Sequence, residues 1–146
     1  MPVRLEALQE SEILTTTGVR IKLGDTLTTA SLVDFYFVGC PPCESKMKSL
    51  HSIADESNNP QYRSILICDG RLTDYQKFLS HGLGIRNERF VLLYDSAGIL
   101  SSKLGLQSYP FEISVVDQQI TGTLEGYDSE SSALYEKETL RKFSRK

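Results

Sequence analysis

The sequence predicts an α/β fold: a central mixed β-sheet with helices on both faces, preceded by a β-hairpin. Three observations carry this prediction. Apolar runs at 31–38, 62–68, 90–94 and 111–116 read as buried strands. Segments with helical spacing stand between them at 43–55, 73–81 and 99–106. Gly, Asn, Asp and Pro cluster at the joints, where turns need them.

Composition limits the possible functions. The chain has 146 residues, 40% hydrophobic and 24% charged, which suits one globular domain with an ordinary core. Its net charge is −3, and no Arg/Lys block interleaves with aromatics, so nucleic acid is not an expected partner. No apolar run approaches the length of a membrane span. The N-terminus shows no basic region followed by an apolar one. Two expectations follow for the compartment: the chain is cytoplasmic, or it is extracytoplasmic with a signal or anchor outside this sequence. The 3 cysteines leave both open.

Residues 3–30 alternate loosely, with Ile13-Leu14 and then Val19, Ile21 and Leu23 around Gly18. They read as two short strands joined at Gly18, with a second turn at Gly24-Asp25. The run from Ser31 to Val38 is the first core strand. Asp34, Tyr36 and Val38 share one of its faces; Val33, Phe35 and Phe37 share the other. A buried, unpaired carboxylate in such a strand costs several kcal/mol. Asp34 therefore reads as a desolvated acid that moves a proton, against the plainer alternative of an edge-strand aspartate in water.

The strand runs into Cys40-Pro41-Pro42-Cys43 and then a helix. A dithiol at a strand-to-helix joint suits thiol–disulfide chemistry. Cys40 would face the free N–H groups of the first helical turn and be reached from solvent, with its thiolate stabilised there. Cys43, one turn further in, would resolve a mixed disulfide formed at Cys40. Pro41 and Pro42 lack N–H groups, so the Cys43 amide is the expected remaining donor to the Cys40 sulfur. Two plainer readings compete. Cys-x-x-Cys is also half of a zinc site, but only Cys68, His51 and His81 remain as further ligands, without a second pair at ligand spacing. A purely structural disulfide would close too short a loop to stabilise much.

The helix after Cys43 presents Met47, Leu50, Ile53 and Ala54 as its apolar stripe, with Glu44, Lys46, Lys48 and Asp55 off it. His51 reads as a rim residue beside Leu50. Tyr62 to Cys68 is a second strand, and Cys68 reads as a small buried hydrophobe. Thr73 is placed to cap a helix with Tyr75, Phe78 and Leu79 inward, ending at His81-Gly82 and Gly84. Phe90–Tyr94 is the third strand. Asp95 to Gly98 turns, and Ile99, Leu100, Leu104 and Leu106 form a short helix.

Pro110 opens the strand Phe111–Val116, a position where a strand tolerates proline. A trans turn proline is the plain alternative there. Asp117-Gln-Gln turns without a Gly at its tip, and Ile120–Leu124 pairs back. Ser129 to Lys146 reads as a terminal helix with Ala133, Leu134, Leu140 and Phe143 inward. Its basic end, Arg141, Lys142, Arg145 and Lys146, complements the helix dipole.

Val33-Asp-Phe-Tyr-Phe-Val-Gly-Cys-Pro-Pro-Cys43 resembles the thioredoxin-superfamily signature Val-Asp-Phe-Trp-x-x-Trp-Cys-x-x-Cys. The resemblance implies a thioredoxin-like fold over 1–146: an N-terminal β-hairpin extension at 1–30, then a core at 31–146 with an αβ insertion at about 62–100, before the proline loop. Hairpin, insertion and Pro-Pro pair are similar to the TlpA/ResA-like branch. The resemblance implies catalysis by Cys40, Cys43 and the buried acid Asp34. It makes Pro110 the family's cis-proline and places partner contacts at Gly39, Pro41, Pro42, Tyr109 and Pro110. Gly39 stands where the family has an aromatic, and Tyr109 where a small or β-branched residue precedes the proline.

The function implied is a thiol–disulfide oxidoreductase, in the reducing direction, acting on protein thiols and disulfides. A reducing partner, a membrane electron carrier or a thioredoxin-type donor, would recharge it. No metal and no organic cofactor is implied, and a monomer is expected. A tryparedoxin-like cytosolic electron carrier and a non-catalytic thioredoxin-like binding module are the alternatives. A thiol peroxidase would normally show Thr-x-x-Cys, which Phe37-Val-Gly-Cys40 does not match.

Overall fold

The computed structural model describes residues 3–81, 86–128 and 131–144, with the side chain of His81 excluded. The first core strand is Ala30–Phe37 (β3), an inner strand of the sheet. Around it lie a short helix Leu5–Glu10 (α1), strands Glu12–Thr15 (β1) and Arg20–Lys22 (β2), and helix Pro41–Glu56 (α2). Strand Tyr62–Asp69 (β4), helix Leu72–His81 (α3), strand Phe90–Tyr94 (β5) and helix Ile99–Leu104 (α4) follow. Strands Phe111–Val116 (β6) and Gln119–Glu125 (β7) and helix Ser132–Lys142 (α5) complete the chain.

The strands form one 7-stranded sheet in the order β2-β1-β5-β4-β3-β6-β7. β3 pairs parallel with β4 and antiparallel with β6, which puts Asp34 level with Leu66 on one side and Glu112 on the other. β4 pairs parallel with β5, and the remaining pairs are antiparallel. The parallel crossovers run through α2 and α3, as parallel pairing demands. The Gly18 hairpin (φ +83°) joins the sheet through β1–β5 pairing.

Alternation along β3 sends side chains into two cores. Leu32 and Tyr36 pack with Met47, Leu50 and Ile53 of α2, with Tyr75 of α3 and with Phe143 beside α5. Val33 and Phe35 pack on the other face with Leu8 of α1, Leu100 of α4, and Ile113 and Val115 of β6. Helices thus cover both faces of a mixed sheet, as the sequence predicts.

Several local expectations fail for physical reasons. Residues 5–10 form a helix of good helix formers, too short to show a periodic stripe, that buries Leu8. α3 starts at Leu72, so Thr73 lies inside the helix and does not cap it. Lys46 is buried at 1% exposure although the stripe on α2 leaves it outside. On α5, Leu134 is 59% exposed and Ala133 is also exposed. The inward line there is Tyr135, Thr139 and Phe143, spaced by four. The two misplacements share a cause: α2 and α5 meet through polar groups, which hydrophobic periodicity does not register. Gly82, Gly84, Ser129, Arg145 and Lys146 lie outside the described residues.

The packing of α5 gives a direct expectation. Phe143 is 1% exposed, with its ring 5.5 Å from Tyr62. Phe143→Ala should cost about 3–5 kcal/mol in denaturant unfolding. Leu134→Ala should change stability by less than about 0.5 kcal/mol. Equal costs at both positions would contradict this orientation of the helix.

Candidate active site

Cys40 is the N-cap residue of α2, and Pro41 and Pro42 occupy its first two helical positions. The Cys43 N–H donates to the Cys40 sulfur at 3.3 Å, the donor expected once both prolines are discounted. Cys40 and Cys43 form a disulfide, their Cα atoms 5.1 Å apart. Cys40 is 3% exposed and Cys43 2%. Cys40 was expected to be open to solvent; in this oxidised state its sulfur turns inward to its partner and to the Cys43 amide. Pro41, Pro42 and Gly39 remain exposed beside it. Gly39 has φ +87°, and a Cβ built there would meet nothing within 4 Å. Space would admit an aromatic at 39, but the left-handed backbone disfavours any side chain.

The Tyr109–Pro110 peptide is cis. Pro110 is buried, and its carbonyl accepts from the Gly126 N–H at 2.7 Å, anchoring the loop to the end of β7. Tyr109 packs against the cluster that contains Cys40 and Cys43. Its hydroxyl donates to Asp69 Oδ2 at 2.8 Å. Phe37, 40% exposed, meets the Tyr109 ring edge-on at 5.4 Å.

Asp34 is 1% exposed, and neither of its oxygens has a hydrogen-bond partner among the described residues. Burial raises its pKa well above the ordinary carboxylate value; the charge of Glu112 raises it further, and that of Lys46 opposes both. Asp95 shows how a structural acid is buried instead. It is 2% exposed, and its carboxylate accepts from the Leu100 and Ser101 N–H groups and the Ser101 hydroxyl at the start of α4. No such donors surround Asp34.

Three residues that the sequence does not single out as part of the site complete the surroundings of Asp34. Lys46 Nζ lies 4.0 Å from Asp34 Oδ1 and 2.9 Å from Glu112 Oε2. It donates to the Tyr135 hydroxyl at 2.6 Å and sits 3.8 Å from the centre of that ring. The Tyr135 hydroxyl in turn donates to Glu112 Oε1. Glu112 carried the same signal as Asp34, a carboxylate inside an apolar strand. Lys46 lies three residues after Cys43, on the flank of α2 that faces the sheet.

The remaining candidates take no part in this arrangement. Cys68 is buried and free, and burial pushes its thiol up to about 12. The His51 ring packs on Phe90 at 4.9 Å. Among the described residues, no group of three His, Cys, Asp or Glu is placed to hold a metal ion. No helix of the described residues is long and apolar enough to cross a membrane.

No family model and no curated protein sequence matches the chain. Solved structures do. A secreted Mycobacterium tuberculosis disulfide oxidoreductase homologous to E. coli DsbE superposes with a TM-score of 0.73 at 18% identity, covering 93% of this chain and 98% of that one. A thioredoxin-like protein from Porphyromonas gingivalis gives 0.73 at 19% identity, covering 93% and 90%. M. tuberculosis DsbF gives 0.70 at 16% identity, covering 92% and 97%. The fold is thioredoxin-like. Within it, the chain is similar over almost its whole length to the structures of DsbF and of the secreted disulfide oxidoreductase homologous to DsbE.

Proposed function

We propose that this chain is a thiol–disulfide oxidoreductase that exchanges disulfides with protein partners through Cys40 and Cys43. The observation that carries the reading is a Cys40–Cys43 disulfide at a helix N-terminus in a molecule that also buries an acid without donors. A structural staple needs no such acid. In the reducing direction, a thiolate at Cys40 attacks a partner disulfide. One partner sulfur leaves, and Cys40 stays bonded to the other. Cys43 gives its proton to the ionised Asp34 carboxylate, attacks Cys40, and releases the second partner sulfur as a thiolate that is protonated from solvent, so that the oxidised form holds Asp34 protonated. Recharging reverses these steps: a donor thiolate opens the disulfide at Cys40, and Asp34 returns a proton to Cys43.

Reduction is the favoured direction. Pro41 and Pro42 leave a single N–H on the Cys40 sulfur, at 3.3 Å. A thiolate with few donors is less stabilised, and oxidants of this chemistry owe their strength to a stabilised reduced form. Gly39, Pro41 and Pro42 form the exposed rim for a partner, with Tyr109 and Pro110 across from it; an extended segment laid along the proline loop would meet backbone groups there. The chain acts as one domain and as a monomer, recharged by a membrane electron carrier or a thioredoxin-type donor. An extracytoplasmic setting is favoured by the likeness to a secreted disulfide oxidoreductase.

A redox titration of the purified protein, with the state of Cys40 and Cys43 read by alkylation and mass, tests the reading. A two-thiol transition near or below about −250 mV is expected. A transition near about −120 mV would make the protein an oxidant of folding chains. No reversible transition would leave only a binding module.

A further inference from the structure

Glu112 and Lys46 are buried charges, and among the described residues their bonds run to each other and to Tyr135 rather than to the dithiol. Glu112 is 4% exposed, on β6, level with Asp34 on β3. Lys46, on α2, is one turn past Cys43. We propose that the Lys46–Glu112 ion pair, oriented by Tyr135, is a positioning device that in the oxidised form keeps Asp34 as the protonated carboxyl of the set and so fixes the pH at which Asp34 exchanges a proton with Cys43. This rests on the oxidoreductase reading and deepens it.

The argument is one of charge. Two carboxylates and one ammonium share a space almost closed to water. Lys46 Nζ is 2.9 Å from Glu112 and 4.0 Å from Asp34, so the closer pair compensates itself and Asp34 is left over. A buried charge without compensation is neutralised by a proton. Once protonated, Asp34 has the Glu112 carboxylate as an acceptor; ionised, it accepts no hydrogen bond from the described residues. Tyr135 holds the pair in place, taking a hydrogen bond from Lys46 and giving one to Glu112. The groups facing Asp34 are Glu112 from β6, Lys46 from α2, Tyr135 from α5 and Tyr62 from β4. Glu136 of α5 is turned away to the Ser49 hydroxyl at 2.9 Å. The set also borders a cleft of about 440 Å³ between β7 and α5, lined by Glu112, Tyr135, Glu138 and Thr139.

The test reads the Asp34 carboxyl directly, by carbon-13 NMR of the protein labelled at its aspartates, with the Asp34→Asn spectrum for assignment. In the oxidised wild type, Asp34 should be protonated at neutral pH. Glu112→Gln removes the repelling charge and leaves Lys46 facing Asp34, so the midpoint should fall by about one pH unit or more. Lys46→Met should move it the opposite way. The rate at which Cys43 resolves a mixed disulfide should follow both shifts. An Asp34 ionised at neutral pH in the oxidised wild type would overturn the proposal even if neither variant folds. So would midpoints that stay put, or that move in the same direction in both variants. If Asp34→Asn leaves the pH profile of resolution unchanged, the proton role of Asp34 fails, while the two midpoints still report on the ion pair.

Discussion

Cys43→Ser should trap the protein on its partners. With the resolving sulfur gone, the Cys40 thiolate still attacks a partner disulfide, but the mixed disulfide has no internal sulfur to release it. A covalent adduct should accumulate, visible on non-reducing gels, while multiple-turnover reduction falls on the order of 10⁴-fold or more. Cys40→Ser should give the same loss of turnover with no adduct, because the attacking sulfur is the one removed. The asymmetry is the decisive part. It follows from the placement of Cys40 at the N-cap of α2, beside the exposed Gly39, Pro41 and Pro42, and of Cys43 inside the first turn. Cys68→Ala should alter neither result, because a buried thiol pushed up to about 12 has almost no thiolate to offer at neutral pH. Adducts formed equally by the Cys40→Ser and Cys43→Ser variants would contradict the assignment of roles.

The parts of this site that could be read from the sequence are those whose chemistry is local. Cys40, Pro41, Pro42 and Cys43 are contiguous, so their geometry follows from a helix starting at Pro41. Asp34 is conspicuous because period-two alternation puts a carboxylate among apolar neighbours on β3. Gly39 shows a limit of such reading. Its position marks a missing aromatic, but only the backbone angle of +87° says why a side chain is unwelcome. Lys46 was misplaced because a lysine on a helix flank is almost always solvated; burial here depends on Glu112 and Tyr135, which lie 66 and 89 residues further along the chain. The same pairing turned α5, since Tyr135 and Thr139 face inward where a hydrophobic stripe would have chosen Leu134. Sequence periodicity reports transfer to an apolar phase. It does not report a polar group whose partner arrives from another element.

Asp34→Asn should move stability and rate in opposite senses. The folded-state pKa of Asp34 is raised above its ordinary value, chiefly by burial. Between the unfolded pKa, about 3.9, and the folded one, the native state holds a proton that the unfolded state has lost. Native stability therefore declines as pH rises through that window, by about 1.4 kcal/mol per pH unit, and stays reduced above it. Asparagine has nearly the same shape and no proton to lose. The variant should match the wild type below the window and exceed it at neutral and alkaline pH, with thermal midpoints higher by about 3 °C for each kcal/mol regained. In the proposed mechanism the same substitution removes the group that takes the Cys43 proton, so single-turnover resolution of the mixed disulfide should slow by about 100-fold. A site kept only for stability would not retain an acid whose replacement strengthens the fold. Thermal unfolding followed from acid to alkaline pH, beside stopped-flow resolution at the same values, checks both halves. A variant less stable than the wild type at neutral pH would mean that Asp34 is ionised and supports the fold, and an unchanged rate would remove it from the chemistry.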